Sequence, residues 1–334
     1  MKVFVHYAPR NIADAFEGTR LRKTIKGACE AVSIPWVDVS GPDVTIAHFI
    51  SPDDIALLRE HKEAGVLTVV SAFYTEDDPH AHFFAPSKTP RLTKKALALL
   101  NEADLVLVPD PRVAELAKYL GVTSKIEVIP PAVRRNRFSK NTPEAQAFPR
   151  YFRLRPEQKV VVAKGSYFDS RLLHLLRQVA SECPGLEFYF FGTCGRYDVL
   201  NLAKHFHRIG ASKNLHLRDM VQDDIYRSAL LRSMAYISGD DLRPDPLGPI
   251  EAFASKTQVV ALQSNYLNPL LVDGKTAKYF ATAHDMAEYL NALNLGTAES
   301  TIDSAFALTK DHNLIAFGKR LKQLYEALAS GESR

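Results

Sequence analysis

The feature that most limits the fold of this 334-residue chain is a regular alternation of short apolar segments with segments of helical periodicity. The first half contains the apolar segments KVFVHY, VTIAHF, VLTVVSAF, DLVLVP and KIEVIP, and amphipathic stretches such as DDIALLREHKEA stand between them. Strands that are apolar throughout are buried on both faces, and a helix after each strand is typical of a parallel sheet covered by helices. The sequence therefore predicts an α/β fold built on doubly wound parallel sheets.

The same alternation begins again after the polar stretch SKNTPEAQAFPRYFRLRPEQ, which contains prolines and is interpreted as an interdomain connection. Beyond it come apolar segments that include KVVVAKG, LEFYFFG, NLHLRD, MAYIS and TQVVAL. We therefore expect two Rossmann-like domains, residues 1–150 and 151–334, with the last helix free to cross back to the first domain. Two such domains in series predict a ligand cleft where the carboxyl ends of both sheets face each other.

Composition and motifs exclude several classes of protein. No apolar run approaches the roughly 20 residues that a membrane-spanning helix needs, and the N-terminus lacks an apolar signal core, so a cytoplasmic protein is expected. The chain has no GxGxxG, P-loop or HExxH motif, which argues against a Rossmann dehydrogenase, a P-loop NTPase or a zincin. Cys29, Cys183 and Cys194 lack metal-binding spacing and are interpreted as buried or incidental thiols.

The net charge of +4 is too small to indicate a nucleic-acid partner, but the basic residues are clustered in the first 140 positions. The clusters comprise Arg20, Arg22, Lys23 and Lys26; Lys88, Arg91, Lys94 and Lys95; and Arg134, Arg135 and Arg137. Each cluster alone is typical of a solvated helix face. Three in one half of the chain also predict contact with an anionic membrane or a phosphate-bearing partner.

The segment from Tyr236 to Gly274 is the most informative for function. It contains a strand, an acidic and proline-rich loop, a helix with Glu251 in its predicted first turn, the strand TQVVAL and a DG turn. A carboxylate in this place can accept hydrogen bonds from the two hydroxyls of a ribose, and backbone amides at the helix start suit a diphosphate. A glutamate that merely caps the helix is the alternative.

The order of these pieces resembles the retaining glycosyltransferases of family 4, which have the GT-B fold, and in particular the Gram-positive branch that glucosylates diacylglycerol. EAFAS at 251–255 and LVDG at 271–274 stand where that branch has EALAS and L-x-D/N-G. The likeness continues through VVVAKGSYFDSR, VIPPAV followed by Arg137 and Phe138, VVSAFYTEDD and LEFYFFG. It spans nearly the whole chain in order, and it implies a GT-B architecture with two domains that face each other across a cleft.

The resemblance implies a nucleotide-sugar site in the second domain. Glu251 stands at the second glutamate of the family's E-x7-E motif, Gly165 at the glycine that lets the phosphates approach, and Arg171 at a lysine that faces the diphosphate. Arginine keeps that charge in a forked geometry. The complete predicted nucleotide-sugar set is Gly165, Ser166, Ser170, Arg171, Leu247, Gly248 and Glu251.

Several catalytic positions of the family are substituted here. Phe73 and Ser71 stand at two family histidines, and Ser170 stands at the arginine of a basic pair. The first glutamate of E-x7-E falls on Arg243, and a shift in the loop supplies Asp240, Asp241 or Asp245 instead. The predicted catalytic residues are Glu76, which matches the family's TEED together with Thr75 and Asp78, Asp241, and Arg20, which is in register with the family's first loop. Whether catalysis is intact is left open by these departures.

The implied activity is retaining transfer of a hexose from a nucleotide diphosphate sugar, similar to UDP-glucose, to a diacylglycerol or glycolipid acceptor. The first domain would bind the acceptor, the second the donor, and no metal or other cofactor is expected. The expected partners are the nucleotide sugar, the lipid or other acceptor and an anionic membrane, with no nucleic acid. A cytoplasmic protein that binds peripherally to the inner face of the membrane would fit. The alternative function is that of a non-catalytic GT-B paralogue, a partner or sugar-binding subunit.

Overall fold

The computed structural model describes residues 1–7, 12–50, 54–74, 92–167, 170–193, 212–239, 246–263 and 268–331. The chain divides into two compact units. The first unit consists of residues 1–134 and 311–334 with a short piece that ends at Leu247, and the second consists of residues 135–243 and 248–310. Each unit is a group of residues that pack together. The domain boundary near residue 150 stays a prediction.

The first unit contains a six-stranded, fully parallel sheet in the order β2-β1-β3-β4-β5-β6. Its strands are β1 (Val3–His6), β2 (Trp36–Val37), β3 (Ile46–Ile50), β4 (Leu67–Ser71), β5 (Leu105–Val108) and β6 (Ile126–Val128). Its helices are α1 (Ile12–Ala31), α2 (Ile55–Glu63), α3 (Lys94–Glu102), α4 (Pro111–Tyr119) and, near the end of the chain, α11 (Leu314–Ala329). Strands β3 and β5 are buried along their whole length, as central strands covered on both faces must be.

The second unit contains another six-stranded parallel sheet, in the order β12-β11-β10-β7-β8-β9. Its strands are β7 (Lys159–Ser166), β8 (Leu186–Thr193), β9 (Leu215–Asp219), β10 (Ala235–Ile237), β11 (Gln258–Leu262) and β12 (Lys278–Phe280). Its helices are α5 (Ala147–Phe152), α6 (Ser170–Glu182), α7 (Asp223–Arg232), α8 (Leu247–Ala254), α9 (Ala283–Asn294) and α10 (Ile302–Leu308), with 3-10 turns at Arg135–Arg137 and Pro143–Gln146. The prediction of an α/β fold with two parallel, helix-covered sheets is confirmed.

Helices α1 and α11 approach each other closely in the first unit. A Cβ atom at Gly318 of α11 would lie 2.5 Å from the carbonyl oxygen of Ala28 and 3.0 Å from a methyl group of Val32. Leu21, Ile25 and Ala28 of α1 belong to the same buried core as Phe317, Leu321 and Tyr325 of α11. Gly318 therefore allows the two helices to lie closer together than a side chain at that position would permit.

A buried polar bridge also joins α11 to the first sheet. His48 of β3 is fully buried, and its Nδ1 lies 2.5 Å from the hydroxyl of Tyr325 while its Nε2 lies 2.8 Å from the hydroxyl of Ser71. Burial lowers the pKa of His48 to about 3, so the ring is neutral and has one donor and one acceptor for the two hydroxyls. The bridge satisfies three polar groups that would each cost free energy if buried alone.

The stretch interpreted as an interdomain connection forms part of the core of the second unit instead. Phe148 of α5 is fully buried, and its ring centroid lies 5.0 Å from that of Tyr189 on β8 in an edge-to-face arrangement. The amide of Phe148 donates to the hydroxyl of Ser228 on α7, which donates to the carbonyl of Ala145. The prolines of this stretch suggested a linker, but its aromatic residues pack on β8 and make it part of the core.

Candidate functional site

The order of strands in the second sheet creates a switch point between β7 and β10. β7 is the first strand of the unit along the chain and β10 is the fourth, and they pair directly. Chain connections therefore leave these neighbours in opposite directions, and in open α/β sheets ligands bind outside the carboxyl ends of the strands at such a point. The second unit thus has the strand order for which a ligand crevice is expected at the ends of β7 and β10.

The predicted nucleotide-sugar residues lie on the segments that surround this switch point. Gly165 and Ser166 are the last two residues of β7, and Gly165 is in register with Gly192 of the neighbouring β8. Ser170 and Arg171 are the first two residues of α6, which follows β7, and Arg171 is exposed. These four residues therefore all lie at the carboxyl end of β7 or at the start of the helix that follows it.

Helix α8 supplies the remaining predicted donor residues, with one correction. The helix begins at Leu247, with Gly248 second and Pro249 still in the first turn, where proline is tolerated. Glu251 therefore lies one turn into the helix and not in its first turn as predicted, and its side chain is half-buried. Its carbonyl accepts hydrogen bonds from both the amide and the hydroxyl of Ser255. Leu247 is 2% exposed, so its side chain is part of the core and is not available to a ligand.

The structure describes one of the three predicted catalytic residues, Arg20. Glu76 and Asp241 lie outside the described residues, as do Thr75, Asp78, Asp240, Arg243 and Asp245. Arg20 lies on α1 and is 3% exposed, and its carbonyl accepts from the hydroxyl of Thr24. A guanidinium buried to this degree needs acceptors around it. Its catalytic role stays a prediction.

Phe73, which stands at a family histidine, is held in an unusual conformation just beyond β4. It has φ of 63° and is 1% exposed. The left-handed region is rare for a bulky residue, and residues held there occur preferentially at functional sites. Its neighbour Tyr74 is buried as well, with its hydroxyl donating to the carbonyl of Ile129 at 2.7 Å. The end of β4 is therefore fixed by packing and by this hydrogen bond.

The first sheet has its own switch point, between β1 and β3. His6 is the last residue of β1, and its Nε2 lies 3.9 Å from Oδ2 of Asp54. Asp54 caps α2 by accepting from the amide of Leu57, which fixes its carboxylate. His6 and Asp54 were missed by the sequence analysis. A polar residue at the end of the first strand was a signal that could have identified His6.

Several residues of the predicted basic surface are paired with carboxylates, in two of its three clusters. Arg22 and Lys26 both donate to the carboxylate of Asp38, at 2.6 Å and 2.9 Å. Arg137 donates to Asp223 at 2.7 Å. In the second cluster Lys94 and Lys95 are exposed at the start of α3, whereas Lys88 and Arg91 lie outside the described residues. The described part of the basic surface is therefore smaller than the sequence predicted.

The remaining observations concern metals, thiols and membrane spans. Among the described residues no group of three or more His, Cys, Asp or Glu side chains is arranged to hold a metal ion. Burial raises the pKa of Cys29 to about 12 and that of Cys183 to about 11, which keeps both thiols protonated, and Cys194 lies outside the described residues. None of the described helices combines the length and apolarity that crossing a membrane requires.

Comparisons with known proteins show which proteins share this architecture. No family model matches the chain. The chain is 22% identical over 308 residues to a processive diacylglycerol alpha-glucosyltransferase of Acholeplasma laidlawii, with 90% of each chain covered. Among solved structures it is similar to HepE of Anabaena in complex with UDP-glucose, with a TM-score of 0.71, 12% identity and coverage of 98% of this chain and 99% of that one. It is also similar to sucrose-phosphate synthase of Thermosynechococcus elongatus, with a TM-score of 0.65, 15% identity and coverage of 97% and 81%. The fold is that of the GT-B glycosyltransferases.

Proposed function

We propose that this protein is a retaining hexosyltransferase, similar to those of family 4, that uses a nucleotide diphosphate sugar such as UDP-glucose. The observation that carries the proposal is the switch point between β7 and β10, around which we propose that Gly165, Arg171 and Glu251 form the donor site. The relatedness to a diacylglycerol glucosyltransferase along 90% of the chain supports the same class of reaction. In the reaction the bond from the sugar's anomeric carbon to the diphosphate breaks and a bond to the acceptor oxygen forms. The departing diphosphate or solvent takes up the acceptor proton.

Each donor residue has a role that its position allows. The backbone at Gly165 lets the diphosphate approach closely, and Arg171 stabilises the negative charge that grows on the diphosphate as the bond breaks. Glu251 accepts hydrogen bonds from the ribose hydroxyls. Asp241 is proposed to contact the donor sugar, and Ser166, Ser170 and the amides of Leu247 and Gly248 are proposed to complete the phosphate contacts. The proposed chemistry requires no metal.

The acceptor is proposed to be a diacylglycerol or glycolipid bound by the first unit. His6 and Asp54, at the switch point of the first sheet, are suited to hold a hydroxyl group, because an imidazole next to a fixed carboxylate can accept and orient an O–H bond. Glu76 and Arg20 are proposed to assist at the reaction centre.

Donor binding is tested by calorimetry with UDP and UDP-glucose. Glu251→Ala is expected to weaken binding by about 1–3 kcal/mol, roughly 5- to 150-fold in Kd, because hydrogen bonds to a charged group are lost. Glu288→Ala, which removes an exposed carboxylate from α9 of the same unit, is the matched control and should leave Kd unchanged. If the unchanged protein binds no common nucleoside diphosphate or its sugar, the donor-site assignment fails. Binding without any hydrolysis or transfer would instead favour a non-catalytic paralogue.

Membrane contact is tested by sedimentation with anionic vesicles at increasing salt. Each lysine near an anionic surface contributes about 1 kcal/mol and is screened by salt. Replacing both Lys94 and Lys95 by glutamine is therefore expected to weaken binding roughly tenfold or more. Arg22→Gln is the control, because Asp38 already holds that guanidinium. Equal, weak binding to neutral and anionic vesicles would leave Lys94 and Lys95 as part of an ordinary solvated surface.

A further inference from the structure

We propose that Tyr167 positions the diphosphate-binding segment of the donor site, and that Gly192 is a glycine in order to accommodate the Tyr167 ring. Tyr167 follows β7 by one residue and comes two residues after Gly165. The inference rests on the proposed function, since it concerns the affinity of the same site for a nucleotide sugar. It assigns Tyr167 a positioning role, with no contact between Tyr167 and the ligand.

A side chain at position 192 would force the ring of Tyr167 or that of Phe190 to move. A Cβ atom at Gly192 would lie 2.7 Å and 2.9 Å from two carbons of the Tyr167 ring and 2.5 Å from a carbon of Phe190. Separations below 3.0 Å between carbon atoms force one group to move. Gly192 pairs with Gly165 in the sheet, so the ring of Tyr167 lies over the neighbouring strand immediately beside the predicted phosphate glycine.

A hydrogen bond fixes the other end of the Tyr167 side chain. Its hydroxyl donates to the carbonyl oxygen of Arg218 on β9 at 2.6 Å. The ring is 2% exposed and packs edge-to-face on Phe190, with 5.3 Å between centroids. A single side chain therefore reaches from the end of β7 across β8 to β9. Packing against Phe190 and Gly192 fixes the position of its ring, and the hydrogen bond to Arg218 fixes its direction.

The same ring lies in the core that buries the start of helix α6. Tyr167 belongs to one buried core with Leu172 and Leu176 of that helix and with Phe190 of β8. Arg171 precedes Leu172 directly, so a shift of the ring changes the support of the turn that carries the guanidinium. A forked guanidinium binds a phosphate well only in a defined orientation, and small displacements of positioning groups are costly. We therefore expect the packing of the Tyr167 ring to affect the affinity of the site for the donor.

The test is a double-mutant cycle with the Kd of UDP-glucose as readout and the melting temperature measured alongside. Gly192→Ala is expected to raise Kd roughly tenfold in the unchanged background and to have a clearly smaller effect once Tyr167→Ala has removed the ring, which leaves only the clash with Phe190, since residues in contact couple while independent ones add. Tyr167→Phe keeps the ring and loses the hydrogen bond to Arg218, and is expected to raise Kd about 3- to 10-fold. Gly185→Ala is the control, because a Cβ atom there meets nothing within 4 Å.

The outcomes separate this proposal from the proposed function. A merely structural role would lower the melting temperature and leave the Kd of the folded protein unchanged in Gly192→Ala and Tyr167→Phe, which would overturn the positioning role. Additive effects of the Gly192 and Tyr167 changes would also overturn it. If Gly192→Ala does not fold, Tyr167→Phe still decides. Failure of the unchanged protein to bind UDP or UDP-glucose would refute the proposed function itself, and the positioning role with it.

Discussion

Arg171→Ala is expected to lower kcat/KM for the nucleotide sugar by about 10²- to 10³-fold, the usual cost of removing one group that stabilises developing charge in a transition state. The side chain is exposed in the first turn of α6, beside the end of β7. Charge accumulates on the diphosphate while the glycosidic bond breaks, so the loss should appear mainly in kcat. The measurement is steady-state release of the nucleoside diphosphate with and without acceptor.

Two further variants sharpen the result. Arg171→Lys keeps the positive charge and loses the fork, and should recover a large part of the activity if charge is the main contribution. Arg177→Ala removes an exposed arginine from the same helix, further from the end of β7, and should change little. Equal activity of Arg171→Ala and Arg177→Ala would contradict the assignment of Arg171 to the diphosphate.

Gly318→Ala is expected to destabilise the first unit by up to about 2 kcal/mol, because overpacking at a close contact costs roughly 1–3 kcal/mol and the higher helix propensity of alanine returns about 1 kcal/mol. The added carbon would lie 2.5 Å from the carbonyl oxygen of Ala28, and a helix backbone cannot retreat as a side chain can. Denaturant unfolding with a probe in the first unit gives the measurement.

Gly27→Ala is the matched control for Gly318→Ala. Gly27 lies on the facing helix α1, and a Cβ atom there would meet the guanidinium end of Arg134 at 2.6 Å and a methyl group of Leu314 at 3.0 Å. Both are the flexible ends of side chains and can rotate away. Gly27→Ala should therefore be close to neutral or stabilising. If the two alanine variants are equally stable, the closeness of the helix backbones at Gly318 is not what constrains the residue there.

The parts of the fold that repeat regularly could be predicted from the sequence. The ten apolar segments taken as strands are long enough to show their buried character, and the two-sheet α/β prediction is confirmed. Edge strands β2 and β12 were missed because they have two and three residues, too few for any periodicity to show. Helix α5 was missed because prolines suggested a connection, while its aromatic residues pack on β8, a strand distant in sequence.

The candidate site could be predicted in part. Gly165, Arg171 and Glu251 could be proposed because each stands in a local motif, and the strand order brings the ends of β7 and β10, which precede their helices, to one switch point. Their roles stay predictions. Tyr167 and Gly192 were not recognised as partners because their contact depends on the register of β7 against β8. The bridge from His48 to Tyr325 was equally invisible, since it joins residues 277 positions apart. Long-range register and packing carry information that local patterns do not.

The division of the first unit between the two ends of the chain has a consequence for biosynthesis. Residues up to 134 leave the ribosome first, but the helix that packs on α1 belongs to residues 311–334, and the whole second unit is made in between. Domains generally fold as units while the chain is synthesised, from the N-terminus onward. Here the nascent chain must carry the apolar face of α1 without α11 until the second unit has emerged. The inserted unit can therefore close its core before the unit that is synthesised ahead of it is complete.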